Sequence, residues 1–318
     1  MASRSEPNEI RITRVYDAPV SVVWEAWTNP VEAAKWWGPR GFTTTTHSKD
    51  LRPGGTWRYT MHGPDGVDYP NIATYHVVEP LAKLVYDHGA TETTPPLFRV
   101  TVSFSEKNGK TTMDMVMALP TPEAAKQTAG FIKKAGGNAT WDRLAEYLGE
   151  AATQRPRFVI HRSFDAPVAR VFAMWTDPEH LVRWLPPAGT TMRFVRSRIA
   201  VGESTLFAIA GEHGTMHVRA EYLAIDPAER IVYVQRFVDE EERRAPAPGA
   251  EAWPEALRNT VLFTEEGPGR TRVTLTTEVE GEASAAELAA FVAERPGMTL
   301  GWTGSYDALE ALLEAGAS

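Results

Sequence analysis

The stretch RVYDAPVSVVWEAWTNP, residues 14–30, returns as RSFDAPVARVFAMWTDP at residues 162–178, with nine of seventeen positions identical and no gap. In each copy an alternating, strand-like segment stops at Asp-Ala-Pro. A proline suits the first turn of a helix, because its φ is already helical and its missing N–H would have had no partner there. Val20, Val23, Trp24 and Trp27 then follow at the spacing of one helical face, and Val168, Val171, Phe172 and Trp175 repeat it. Asp17 is the expected cap. Asn29-Pro30 and Asp177-Pro178 end these helices and open a second short one, VEAAKWWG in the first copy and HLVRWLPP in the second.

Outward from this motif the period changes from 3.6 to 2. The first copy continues through FTTTTHSKD, TWRYTMH, DYPNIATYHVVEP, KLVYDH, LFRVTVSF and TTMDMVMAL, with turns at PGG (53–55), GPDG (63–66) and KNGK (107–110). Thr121-Pro122-Glu123 then opens a long helix that runs through FIKKAGG and resumes as NATWDRLAEYL, with Gly136-Gly137 as a kink or break. The second copy repeats the order and closes on SAAELAAFVAERPGMTLGWTGSYDALEALLEA. Each copy therefore reads as one strand, two short helices, six strands and a long helix, an α+β arrangement. A chain of 318 residues exceeds what one core usually organises. Domains are expected at 1–150 and 158–318, joined by a polar linker at 151–157. DEEERRAPAPGAEAWPEA at 239–256 is an insertion of the second copy alone, expected as a loop over one end of the sheet.

Composition narrows the function classes. The 43% hydrophobic and 23% charged content is that of a water-soluble globular chain, and no apolar run reaches the roughly 18 residues of a membrane span. With no cysteine, the chain has no disulfide, no thiolate nucleophile and no Cys-ligated zinc. The N-terminus lacks an apolar signal core, so a cytoplasmic location is expected. The net charge of −8 resides mostly in the second copy, and neither copy has a basic stripe, which argues against a nucleic-acid partner. No G-x-G-x-x-G, G-x-x-x-x-G-K or G-x-S-x-G motif occurs. His62, His76 and His88 with Asp68 lie at differing strand phases without metal-ligand spacing. Neither a metal nor another cofactor is expected.

A sheet that curls round a helix leaves space between them, and pockets of this kind are apolar with a few oriented polar groups. Strand alternation identifies what faces that space. Trp57, Tyr59 and Met61 share one face, matched by Thr205, Phe207 and Ile209. Met113, Met115, Met117 and Leu119 align on the last strand of the first copy. Leu84, Tyr86 and His88 are matched by Ile231, Tyr233 and Gln235, and Tyr69, Asn71, Ala73 and Tyr75 form a further inward row that Tyr222 continues in the second copy. Trp57, Tyr59, Met61, Tyr75, Met113, Met115, Met117, Phe207, Ile209, Tyr222, Tyr233 and Gln235 are thus candidate ligand contacts, in competition with a plain core. His88, Tyr86, Asn71 and Tyr69 are candidate acid–base groups, in competition with a wet rim.

The segments DAP, WEAWTNP, WWGPRGF and PGGTWRYTMHGPDG, within residues 17–71, resemble the bacterial domain related to the C-terminal domain of the activator of Hsp90 ATPase, in the START-like (helix-grip) superfamily. The resemblance covers residues 9–150. It continues more weakly in the second copy through DAPVARVFAMWTDPEHLVRWLPP and GWTGSYDALEALL. It implies two tandem helix-grip domains, each a seven-stranded antiparallel sheet curled around a long C-terminal helix. It further implies a small apolar or aromatic ligand in each cavity, cyclase-, dehydratase- or hydrolase-type chemistry on such a ligand, or a co-chaperone role as a protein-binding module acting on a bacterial Hsp90. In the second copy Leu185 replaces Trp37 and Thr205 replaces Trp57. One reading of these losses is that the second copy no longer binds a ligand.

Overall fold

The computed structural model describes residues 8–134, 139–212, 214–247, 249 and 252–316. The chain forms two compact units, Met1–Gln154 and Arg155–Ser318. The first comprises β1 (Glu9–Tyr16), α1 (Val20–Thr28), α2 (Pro30–Trp36), β2 (Thr43–Lys49), β3 (Thr56–His62), β4 (Asp68–Glu79), β5 (Lys83–Ala90), β6 (Phe98–Lys107), β7 (Lys110–Ala118), α3 (Pro122–Lys134) and α4 (Ala139–Thr153). In the second the order is β8 (Arg157–Phe164), α5 (Val168–Thr176), α6 (Pro178–Trp184), β9 (Thr191–Ser197), β10 (Ser204–Gly211), β11 (Gly214–Asp226), β12 (Arg230–Val238), β13 (Leu257–Gly267), β14 (Arg270–Val279), α7 (Ala285–Ala293) and α8 (Arg295–Ala315). Helix α4 reaches Thr153 and β8 starts at Arg157, so the connection is shorter than the expected 151–157. Gly136-Gly137, the expected kink, lies outside the described residues.

Both sheets are seven-stranded and antiparallel, with the same order: β1-β7-β6-β5-β4-β3-β2 and β8-β14-β13-β12-β11-β10-β9. The first strand of each unit pairs with the last, so the first two strands in sequence, β1 and β2 or β8 and β9, form the two edges of each sheet. Packing of α4 on α1, α2 and β1, and of α8 on α6 and β8, places the C-terminal helix against the inner face.

The repeated motif folds as architecture. Val23, Trp24 and Trp27 are buried on α1, and Val171, Met174 and Trp175 on α5. Asn29 caps α2, its side chain accepting from the Val31 and Glu32 amides at 2.9 and 3.4 Å. Asp177 accepts from the Glu179 amide at 2.9 Å in the same role. The expected cap at Asp17 does not form. Pro19 occupies the cap position of α1 with no side-chain cap bond, and Asp17 is paired with Lys110 at 3.3 Å. The closing helix of the second unit also differs from the single helix expected, since it breaks at Glu294. Pro296 lacks an N–H and fits the first turn of a new helix, and Ser284 with Glu287 closes a capping box on α7.

Candidate functional site

In the first unit the inward faces meet as a continuous aromatic core. Trp57 is 2% exposed and stacks on Tyr59 at 4.2 Å between ring centres, with Trp37 edge-on at 4.9 Å. The Lys49 ammonium sits 3.9 Å over the Trp57 ring and donates to the Trp27 carbonyl at 2.9 Å. Burial pulls this lysine down to about 7, while the carbonyl and the indole face favour its charged form. Trp27 stacks on Trp141 of α4 at 5.2 Å. Tyr75, Tyr86, Met113, Met115 and Met117 are all buried in the same cluster, and Met61 packs against it half-buried.

The acid–base candidates do not assemble as a group of four. His88 does point inward, stacked on Phe98 at 4.9 Å, with its Nδ1 3.3 Å from the Tyr59 hydroxyl and the Tyr86 ring 6.4 Å away. Alternation from Leu84 and Tyr86 gives this placement, and a β-bulge opposite β4 follows at His88-Gly89, where Thr74 pairs with Asp87 and Ile72 with Ala90. Gly89 holds φ +81°, and a Cβ there would lie 2.7 Å from Leu97. Burial drops His88 to about 4 and raises the Tyr86 phenol well above its ordinary value, so both are neutral at pH 7. Tyr69 is exposed, with its ring 5.8 Å from that of Phe42, and the Asn71 amide is spent on the Tyr69 carbonyl at 2.9 Å.

The second unit keeps the frame and empties its centre. Trp175 stacks on Trp302 of α8 at 5.9 Å as Trp27 does on Trp141, and the Tyr222–Tyr233 rings lie 5.9 Å apart, as do those of Tyr75 and Tyr86. Three fillers of the first unit have shrunk, however: Trp37 to Leu185, Trp57 to Thr205, and Leu144, wholly buried on α4, to Ser305. A cavity of about 390 Å³ opens between sheet and α8, and Leu185, Thr205 and Ser305 all line it. Phe207, Ile209, Tyr222, Tyr233 and Gln235, expected from strand phase, are on its wall. The volume falls in the range of small-molecule sites, roughly 300–1,000 Å³. The swap of Trp57 for Thr205 therefore opens space in the second unit, the reverse of a lost pocket.

Polar groups are sparse in this cavity, and two are poorly paired. Thr205 is fully buried, and its Oγ1 makes no hydrogen bond of good geometry, only a loose one toward the Tyr222 phenol. The Tyr222 phenol stands beside it, near enough that Thr205 opposes the rise burial imposes on that phenol. The Trp175 Nε1, also buried, has no acceptor. Ser305 is satisfied, donating to the Leu185 carbonyl at 2.9 Å. Burial keeps the Tyr233 phenol neutral. Glu294 is the one charged side chain among the described lining residues, and it is exposed.

Around the cavity the loop after the second short helix is also held differently. In the first unit Arg143 of α4 donates to the Gly38, Pro39 and Phe42 carbonyls at 2.9, 2.9 and 3.0 Å, and Arg40 forms a two-pronged ion pair with Glu146. The repeat puts Gly304 at the position of Arg143 and Asp307 at that of Glu146, and Asp307 pairs instead with Arg162. Trp253 of the inserted loop reaches the cavity wall and lies 6.1 Å from Phe291. The start of that loop is anchored by Arg196 to Glu242 at 2.7 and 2.9 Å, while residues 248, 250 and 251 lie outside the described residues. Strand phase alone could not reveal Trp175, Met298, Gly301, Trp302 or Trp253, which come from helices and the loop. The available signal was the aligned shrinkage at Leu185, Thr205 and Ser305.

Among the described residues no group of three or more His, Asp or Glu side chains is placed to hold a metal, and no helix is long and apolar enough to cross a membrane. No match is found among curated proteins. Solved structures similar to single units include a protein from Staphylococcus epidermidis, 26% identical, covering 48% of this chain and 95% of that one with a TM-score of 0.43. Another, from Arthrobacter aurescens, is 24% identical and covers 46% and 90% with a TM-score of 0.43. Over both units the chain is similar to the di-domain ARO/CYC protein BexL from the BE-7585A biosynthetic pathway, at 14% identity, 96% and 98% coverage and a TM-score of 0.39. The family described as activator of Hsp90 ATPase homolog 1-like protein matches residues 17–149 and again 165–314. The two spans together cover most of the 318 residues, and the chain belongs to that family and carries its domain twice.

Proposed function

We propose that the second unit binds a small, mostly apolar molecule between its sheet and α8, and that the first unit fills the equivalent space with its own side chains. The observation that carries this reading is the cavity of about 390 Å³ formed where Leu185, Thr205 and Ser305 stand in place of Trp37, Trp57 and Leu144. The cavity is open to solvent, and a molecule that fills it would withdraw its largely apolar wall from water. The wall of Phe207, Ile209, Met192, Met298 and Trp302 supplies apolar contact, and Tyr222, Tyr233 and Gln235 supply orientation.

Acid–base chemistry by His88, Tyr86, Asn71 and Tyr69 gains no support from the arrangement described above. The alternative, a co-chaperone role toward a bacterial Hsp90, has the family description alone behind it. Titration with the neutral dye N-phenylnaphthylamine tests the binding reading. Saturable fluorescence enhancement at one site per chain, abolished by Thr205→Trp and retained in Trp57→Phe, is expected. Absence of saturable binding, or binding indifferent to Thr205→Trp, would overturn it.

A further inference from the structure

Resting on that reading of the second cavity, we infer that its ligand is uncharged and presents a hydrogen-bond-accepting oxygen, of ketone, aldehyde or amide type, to the Trp175 indole N–H or the Thr205 hydroxyl. Two buried donors that lack a well-formed hydrogen bond line one cavity: Trp175, 4% exposed, with no acceptor, and Thr205, with no exposed surface and only a loose contact to the Tyr222 phenol. Unpaired buried donors are disfavoured by more than a bond made to them returns in water, so they select for a ligand that pairs them. The position of Thr205 is closed off in the first unit. Trp57, at the position of Thr205, donates its own Nε1 to Thr46 at 3.1 Å, and its ring packs against Trp37, which in turn lies 5.6 Å from Trp27.

Charge sets the second half of the inference. No Lys, Arg or His lines the described cavity, and the phenols of Tyr222 and Tyr233 are held neutral by burial. A carboxylate taken inside would lose its hydration with no counter-charge to replace it, and Glu294, exposed among the lining residues, would repel it. A carbonyl oxygen has the same acceptor geometry without that cost. The site therefore discriminates against fatty acids and other apolar acids, which a merely greasy pocket of this volume would accept.

Three naphthalenes substituted at one ring position give the test by isothermal titration calorimetry on the full chain at pH 7: acetylnaphthalene, ethylnaphthalene and naphthoate. The ketone is expected to bind roughly 5- to 30-fold more tightly than the hydrocarbon, the gain of one to two net hydrogen bonds. Naphthoate is expected to bind more weakly than either. In Thr205→Val, nearly isosteric, the ketone advantage should fall severalfold while ethylnaphthalene affinity holds or rises, and adding Trp175→Phe should remove what remains. Equal affinity for ketone and hydrocarbon in the unmodified chain, or tighter binding of naphthoate, overturns this inference and leaves the cavity as a binding site. Failure of all three to bind overturns the cavity reading itself.

Discussion

Replacing Trp57 by Thr, the residue its repeat partner carries, should convert a packed centre into a hollow one at a large stability cost. Trp57 is 2% exposed, with Tyr59 and Trp37 against its ring at 4.2 and 4.9 Å and the Lys49 ammonium over its face. Truncating a core tryptophan costs roughly 3–5 kcal/mol. Losing its hydrogen bond to Thr46 adds about 1 kcal/mol. Against a domain stability of roughly 5–15 kcal/mol, this removes about a quarter or more. With a urea dependence of about 2 kcal/mol per M, the midpoint of the first unit should fall by roughly 2–3 M. Urea unfolding of the full chain, followed by far-UV circular dichroism and fitted as two transitions, reads this directly. One transition should move and the other stay. A midpoint shift below about 0.5 M would mean that the indole is not closely packed, and the contrast drawn between the two units would fail.

Three further outcomes follow from other contacts. Because burial lowers His88 to about 4 from an ordinary value near 6.5, the unfolded chain takes up that proton first. Its contribution is whole above about pH 6.5 and is lost as pH falls toward 4, at most about 3 kcal/mol and less for a half-buried ring. His88→Gln, the residue at its repeat position, should flatten that acid limb in urea midpoints measured between pH 7 and pH 4.5, and an unchanged limb would place the titration elsewhere. Arg143→Ala leaves the Gly38, Pro39 and Phe42 carbonyls without their shared donor, a loss of roughly 2–3 kcal/mol. Trypsin should then cut after Arg40 severalfold faster, and an unaltered rate would show that the loop does not depend on the clamp. Gly301→Leu places a side chain where nothing lies within 4 Å of the new Cβ. It should weaken N-phenylnaphthylamine binding at least tenfold with little change in unfolding midpoint, and intact binding would exclude this part of the wall.

Much of the fold could be read from the chain because it depends on local patterning written twice. The Asp-Ala-Pro stops, the two short helices and the phase of each strand are matters of period, and Trp57, Tyr59, Tyr86 and His88 do share the inner face that alternation assigned them. Period says which way a side chain points and nothing about how much room remains in front of it. That room depends on Leu185 after α6, Thr205 on β10 and Ser305 on α8, which meet only in the folded unit. Read singly, the change from Trp57 to Thr205 suggested a lost pocket; beside the other two it opens one. The break at Glu294 is not legible in the apolar period, which runs on across it, although Pro296 marks the start of a new helix.

Methionine methyl groups locate a bound ligand in this chain with little ambiguity. Met192, Met216 and Met298 line the second cavity, while Met113, Met115 and Met117 are buried in the core of the first unit with Met61 against it. Proton–carbon correlation spectra of methyl-labelled protein titrated with acetylnaphthalene should shift Met192, Met216 and Met298 and leave the first-unit methionines in place. Shifts centred on Met113, Met115 and Met117, with the second-unit methyls unmoved, would contradict the assignment of the binding site to the second unit.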